Sequence, residues 1–482
     1  MTIQVVTVAT LFLTLLSSSS LQNYYVLAAQ QHNCDIREEK LDIIFNCCDK
    51  SINDGNSHIT LESIQQSVQD ERYVNVNRNI HVLMDNNNMS YLKRLPMLSH
   101  VTKISFKRNR LADADTGVFR SLPQLKIVDF GCNLFTGDSP TAEIFRGNEI
   151  RDRFEPLPLE HLILSNNHIT YLHRDLFKYL PNLITLELND NPLNHFTPDT
   201  ERALHSLKKL RILNLANVGI SHIPNQLFEA IPIETLFLNE NNLAEIPNSL
   251  SQSSTIRYLS LNENPLREIN SKSFAKLIRL QELHISGMKN LSRIEENTFV
   301  SLMNLESLTC SFNEKLEFIH PKAFAWRIHR KLKVLNLNNN ALRDLPQNLL
   351  DWRKLDVLNL RDNPWNCTCS LRWLYDLLEH RQHVYPEANV GIRCHYPKRL
   401  RNNTLLFAGN DLICDAETAS VLGLSSNRSK DLIVCMIFLA LAYVALQLIY
   451  FKRMKSKSSP RHSGTSIKST VKYKPAQSMI YL

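Results

Sequence analysis

The chain has 482 residues, with 55 lysines and arginines against 47 aspartates and glutamates, a formal charge of +8. The excess lies in residues 452–482, which carry Lys452, Arg453, Lys455, Lys457, Arg461, Lys468, Lys472 and Lys474 and no acid. The remainder is balanced, so composition gives no reason to expect a nucleic acid or another polyanion as ligand. Only 11 glycines occur, with no glycine-rich phosphate loop, and the 17 histidines do not cluster, so neither a cofactor nor a metal site is expected.

In chain order, no charged residue precedes Asp35, and an apolar run over 5–16 leads to small residues near Ala28 and Ala29. Residues 1–29 therefore read as a secretory signal peptide. Residues 30–78 form an N-terminal cap. One disulfide is expected there, from Cys34 to Cys47 or Cys48, with the third thiol free or reaching Cys132.

From 79 to 362 one pattern dominates, L-x-x-L-x-L-x-x-N-x-L, recurring about every 23 to 27 residues. Clean copies are LEHLILSNNHI at 159–169, IETLFLNENNL at 233–243 and LKVLNLNNNAL at 332–342. A repeat of this length and spacing is the signature of a leucine-rich repeat solenoid, an α/β fold with short parallel strands on a concave face and helices or loops behind. A weaker copy around Val82, Met84, Asn87 and Met89 opens the array. The leucines point inward, and no repeat can bury them without neighbours. The asparagine closes the turn after each strand, its amide serving buried backbone groups. It recurs at Asn109, Asn133, Asn167, Asn191, Asn241, Asn264, Asn313, Asn340 and Asn363, with Val218 and Met288 as exceptions. A second ladder, Phe119, Phe177, Phe228, Phe274, Phe299 and Phe324, is expected to stack behind the sheet. The long stretch from Leu134 to Pro156 reads as a loop standing off the solenoid.

Strand residues that alternate with the leucines face outward. In the middle of the stack these include Ile163, Glu187, Ile212, Phe237, Tyr258 and His284. With strands about 4.8 Å apart, Ile212, Phe237 and Tyr258 are expected to form one apolar patch, the candidate ligand-binding surface. No catalytic residue is expected: His173-Arg174-Asp175-Leu176 imitates a kinase catalytic loop, but Leu180 stands where its metal-binding asparagine belongs.

Residues 363–415 form a C-terminal cap. Asn363-Pro364-Trp365 leads into Cys367-Thr368-Cys369, followed by Trp373, Cys394 and Cys414. A stalk at 416–431 precedes an apolar run at 432–451, long enough at about 30 Å to span a bilayer. The basic residues after it place the tail, 452–482, in the cytoplasm. The final Met479-Ile480-Tyr481-Leu482 has the pattern that a PDZ domain can add as a strand. Sequons at Asn88, Asn290, Asn366, Asn402 and Asn427 fit the same secretory route.

The N-P-W-x-C-x-C cap with two later cysteines resembles that of animal extracellular leucine-rich repeat proteins. The whole arrangement resembles type I membrane proteins of the connectin, chaoptin and Toll-ectodomain kind, without Toll's cytoplasmic signalling domain. That resemblance implies pairing of Cys367 with Cys394 and of Cys369 with Cys414. The N-terminal cap departs from the family, whose flank usually carries four cysteines. Further implications are a plasma-membrane site with the N-terminus outside, and recognition of an extracellular or cell-surface protein. The alternative role is an accessory co-receptor that associates with another membrane protein and signals only through partners.

Overall fold

The computed structural model describes residues 34–412 apart from 40–41, 69–77, 230, 326–327 and 386–390. The predicted signal peptide, stalk, span and tail, with Cys414 and Asn427, lie outside them. Among the described residues no helix is long and apolar enough to cross a membrane.

Fourteen short strands form one sheet in chain order. They are β1 (Asp35–Glu38), β2 (Asp42–Asn46), β3 (Asn79–Leu83), β4 (Val101–Ser105), β5 (Ile127–Asp129), β6 (His161–Ile163), β7 (Thr185–Glu187), β8 (Ile212–Asn214), β9 (Thr235–Phe237), β10 (Tyr258–Ser260), β11 (Glu282–His284), β12 (Ser307–Thr309), β13 (Val334–Asn336) and β14 (Val357–Asn359). β1 and β2 are antiparallel, and every later pairing in this sheet is parallel. The central leucine of each repeat, such as Leu186, Leu213, Leu236 and Leu259, is fully buried and stacks on its neighbour in register. The chain is thus a parallel-strand leucine-rich repeat solenoid, in which each coil's apolar face is covered by the next.

The asparagine ladder carries the turns. The Asn133 amide donates to the carbonyls of Phe106 and Phe130 at 2.9 and 3.0 Å, while its Oδ1 accepts from the Leu111 amide at 3.0 Å. One side chain therefore satisfies backbone groups of two successive coils, where water cannot reach. Asn87 does the same against the cap, donating to Cys47 and accepting from Ile52. At the exceptions, Val218 and Met288 are fully buried and extend the apolar core instead. Beside the first, the Leu193 amide turns back to the Asn191 carbonyl at 2.9 Å.

The phenylalanine ladder is buried throughout. Phe274, Phe299 and Phe324 stack at centroid distances of 6.0 and 4.8 Å. The stretch at 134–156 corrects an expectation: it does not stand off the solenoid. Its short 3-10 turn, Ala142–Phe145, puts Ile144 and Phe145 into the core, and Phe145 stacks on Phe119 at 6.1 Å. The insertion thus adds a ring to the same spine. Its outer part is a ribbon, Glu149–Ile150 against Arg153–Phe154, turned by Arg151 and Asp152 in the left-handed region. Ser139 donates to Asp113 at 2.8 Å and Tyr171 to Asp138 at 2.6 Å, strapping the insertion to the coils on either side.

Both solenoid ends are covered. At the N-terminal end, Ile43 and Phe45 of β2 lie over the first coil, and Cys34 is bonded to Cys47. Cys48 and Cys132 are free thiols. They are not joined, because β3 and β4 separate β2 from β5 in the sheet. At the other end a helix, α1 (Arg372–His380), buries Leu374, Tyr375 and Leu378. Three aromatic donors tie this cap to carbonyls of the last coils: Trp365 to Leu360 at 3.0 Å, Trp373 to Leu345 at 3.3 Å, and Tyr385 to Leu355 at 2.8 Å. Cys367 is bonded to Cys394. Cys369 is also disulfide-bonded, to a partner outside the described residues.

Candidate functional site

Each three-residue strand offers two outward positions, the first and the third, so the exposed sheet face carries two parallel rows. Register assigns Ile163, Glu187, Phe237 and His284 to the row of third positions, with Asn214 and Ser260 between them. Ile212 and Tyr258 belong to the row of first positions, on either side of Thr235. The expected patch of Ile212, Phe237 and Tyr258 thus spans both rows: Ile212 and Tyr258 each pair with Thr235, and Phe237 pairs with Asn214 and Ser260.

The contiguous group is Phe237, Tyr258 and His284, which alternate between the rows. Ring centroids are 5.0 Å apart from Phe237 to Tyr258 and 5.1 Å from Tyr258 to His284. All three are half-buried. His284 Nε2 lies 2.8 Å from Glu282 Oε1, which fixes the imidazole against the sheet. Burial, and then the Glu282 carboxylate, push the Tyr258 hydroxyl above its usual range. Rings held on short strands lose little freedom when a partner covers them.

Toward the N-terminal end the same face is acidic. Asp129 and Glu187 flank Ile163 in the row of third positions. Burial, then the nearby Asp85 carboxylate, raise the Asp129 carboxyl, although the Gly131 amide works against this. Glu187 is raised by burial and by Asp129. At the N-terminal rim of the strands, opposite charges pair between coils: Lys126 with Glu160 at 3.1 Å, Arg211 and Arg257 with Glu234, and Lys333 with Asp356 at 3.8 Å. These pairs are solvent-exposed and contribute little energy. At the opposite edge, Asn189 Oδ1 and Asn239 Oδ1 are buried without a hydrogen-bond partner among the described residues. Asn262, by contrast, serves its turn by accepting from the Ser286 amide at 2.8 Å.

Sequence reasoning missed Phe312. It follows β12 at the turn position held elsewhere by Asn166, Asn217 or Asn339, has φ of 56°, and is 59% exposed. A bulky residue is rare in that backbone region. Aligning the repeats at this turn, and not only at their leucines, exposes the anomaly. Of the sequons, Asn88, Asn290 and Asn402 are exposed, and Asn366 is half-buried between the core residues Trp365 and Cys367. The described residues contain no group of three histidine, cysteine or acidic side chains able to hold a metal ion.

Family models agree with the fold. The leucine rich repeat model matches residues 158–215, and the BspA type leucine rich repeat region model matches 200–333 and 244–362. The chain is 37% identical over 95 residues to the mouse (Mus musculus) high affinity nerve growth factor receptor, and 34% identical over 95 residues to the chicken (Gallus gallus) NT-3 growth factor receptor. Those matches cover 20% of this chain and only 12% and 11% of the two receptors. Among solved structures, a chain of the octameric complex of Latrophilin 3, Unc5D and FLRT2 (LRR) superposes with a TM-score of 0.52 at 23% identity. That superposition covers 66% of this chain and 92% of the other. The likeness is one of fold. The solenoid carries leucine-rich repeats, which the family models match between residues 158 and 362.

Proposed function

We propose that the chain is a cell-surface receptor or adhesion protein that holds a protein ligand against the exposed sheet face, centred on Phe237, Tyr258 and His284. One observation carries this reading: three rings from three successive coils pack against one another, tilted, with centroids 5.0 and 5.1 Å apart, and each stays half-exposed on the sheet face. Preformed aromatic clusters ringed by polar groups are where binding energy concentrates in protein interfaces. The relatives matched over 95 residues are growth-factor receptors by name, which favours a protein ligand. The apolar run at 432–451 is the single span, with the N-terminus outside and the basic tail in the cytoplasm. In the cytoplasm the tail's final residues offer a strand to a PDZ domain.

The test is a cell-mixing assay with the full chain. Clusters of expressing cells alone indicate homophilic adhesion, and clusters with unlabelled cells indicate a separate counter-receptor. The double variant Phe237→Ala, Tyr258→Ala is expected to abolish clustering while surface display and melting temperature stay unchanged. Clustering that survives this variant removes the aromatic site. No clustering in any mixture favours the accessory co-receptor role.

A further inference from the structure

Away from the sheet face, an open groove of about 820 Å³ lies where the N-terminal cap meets the first coils. Its lining includes Asn88, Tyr91, Arg110, Asp113 and Leu134. Asn88 is the acceptor of the first sequon, Asn88-Met89-Ser90, and every residue of that triplet is fixed. The Asn88 backbone N–H donates to the Ile52 carbonyl at 2.7 Å. The Met89 side chain is fully buried, and its amide donates to Asn109 Oδ1 at 3.1 Å. Asp54 Oδ1 accepts from the Ser90 amide at 2.7 Å, and its other oxygen accepts from the Ser90 hydroxyl. The Asn88 side chain therefore leaves the backbone from a rigid point on the groove's own wall.

The walls suit carbohydrate. A sugar ring presents an apolar C–H face and a rim of hydroxyls, and needs a flat apolar surface beside charged hydrogen-bonding groups. Tyr91 and Leu134 are 37% and 39% exposed, so part of each apolar side chain is open to the groove. Tyr91 donates its hydroxyl to Asp115 at 2.8 Å, which holds the ring in place. Arg110 and Asp113 are exposed beside them, and Asp113 is held by Ser139 of the insertion at 2.8 Å.

We infer that the groove is the seat of an N-linked glycan carried by Asn88, whose first sugars lie against Tyr91 and Leu134 between Arg110 and Asp113. The modification joins Asn88 Nδ2 to the anomeric carbon of an oligosaccharide supplied on a lipid pyrophosphate. The anomeric C–O bond to phosphate breaks, the lipid pyrophosphate departs, and the amide gives up one proton. Because the sugar is tethered at the groove's edge, its effective concentration there is high, and contacts too weak to hold free sugar suffice. Asn290, exposed on a turn, is an internal reference.

The inference rests on the reading that this part of the chain faces the secretory lumen. The full chain is produced in cultured animal cells, and each sequon is followed by glycopeptide mass spectrometry during enzymatic deglycosylation of the native protein. Asn88 is expected to carry glycan and to release it about tenfold more slowly than Asn290. The variants Tyr91→Ala and Leu134→Ser, tested singly, are expected to bring its release to the Asn290 rate. Equal native rates at Asn88 and Asn290, or a slow rate that neither variant changes, overturn the seating. A bare Asn88 beside glycosylated Asn290 and Asn402 overturns this inference alone, whereas bare sequons throughout overturn the lumenal reading as well.

Discussion

Asp129 and Glu187 carry charge where burial resists it, and this sets the sign of their contribution to stability. Their folded-state carboxyls titrate above their ordinary values of 3.8 and 4.5, so the folded protein binds protons more tightly than the unfolded chain. Any stability from this source is complete below those ordinary values and is lost as pH rises through the higher folded ones. Asp129→Asn and Glu187→Gln are therefore expected to raise the melting temperature at pH 7 and to lose that advantage near pH 3; an unchanged or lower melting temperature at pH 7 contradicts the assignment. Cys310 behaves differently. Burial drives its thiol up to about 12, against the opposing Asn313 amide, and the thiolate is the reactive form. In the native protein iodoacetamide is expected to label Cys132, which is partly exposed, and to leave Cys310 unmodified until unfolding. Phe312 sits in a left-handed conformation that asparagine adopts more readily. Phe312→Asn should raise stability by about 1 kcal/mol, measured by urea denaturation. A loss of stability would show that the ring contributes packing.

At the scale of the element, the asparagine turn is the unit that converts sequence into coil. Asn133→Ala removes the acceptor of the Leu111 amide and one of the two asparagine donors to each of the Phe106 and Phe130 carbonyls, which keep those of Asn109 and Asn167. A cost of at least about 1–3 kcal/mol is expected, with hydrogen exchange rising first at those coils; no change would mean that water or backbone shifts replace the side chain. These turns were legible because the pattern is local: leucine spacing sets the buried face, and the asparagine marks where the chain leaves the strand. Phe145 was not legible, since it reaches the phenylalanine spine from outside the repeat period, and nothing local distinguishes it from a loop residue. The aromatic site was half legible. Alternation identified Phe237, Tyr258 and His284 as outward-facing, but only the inter-strand register shows which of two rows each occupies, and three-residue strands leave that offset undetermined. Phe312 escaped because attention to the leucines hides the turn position where it departs from its counterparts.

For the molecule as a whole, stability is a sum of coils joined by nearest-neighbour contacts, so its ends matter disproportionately. The cap formed by Trp365, Trp373 and Tyr385 shields the last coil, and the Cys367–Cys394 bond holds it there. Replacing both cysteines with alanine is expected to cost about 2–5 kcal/mol and to reduce secretion, with unfolding beginning at the C-terminal coils. The proposed function makes a separate demand on the same architecture: the sheet face must stay free while the back of each coil packs. The most direct test of the proposed role places a photo-cross-linking amino acid at Tyr258, on the sheet face, or at Met303, an exposed residue away from it, in the full chain displayed on living cells. Irradiation is expected to yield a discrete protein adduct at position 258 that Phe237→Ala suppresses, and none at position 303. The same adduct at both positions, or adducts at 303 alone, would contradict recognition through the aromatic rows.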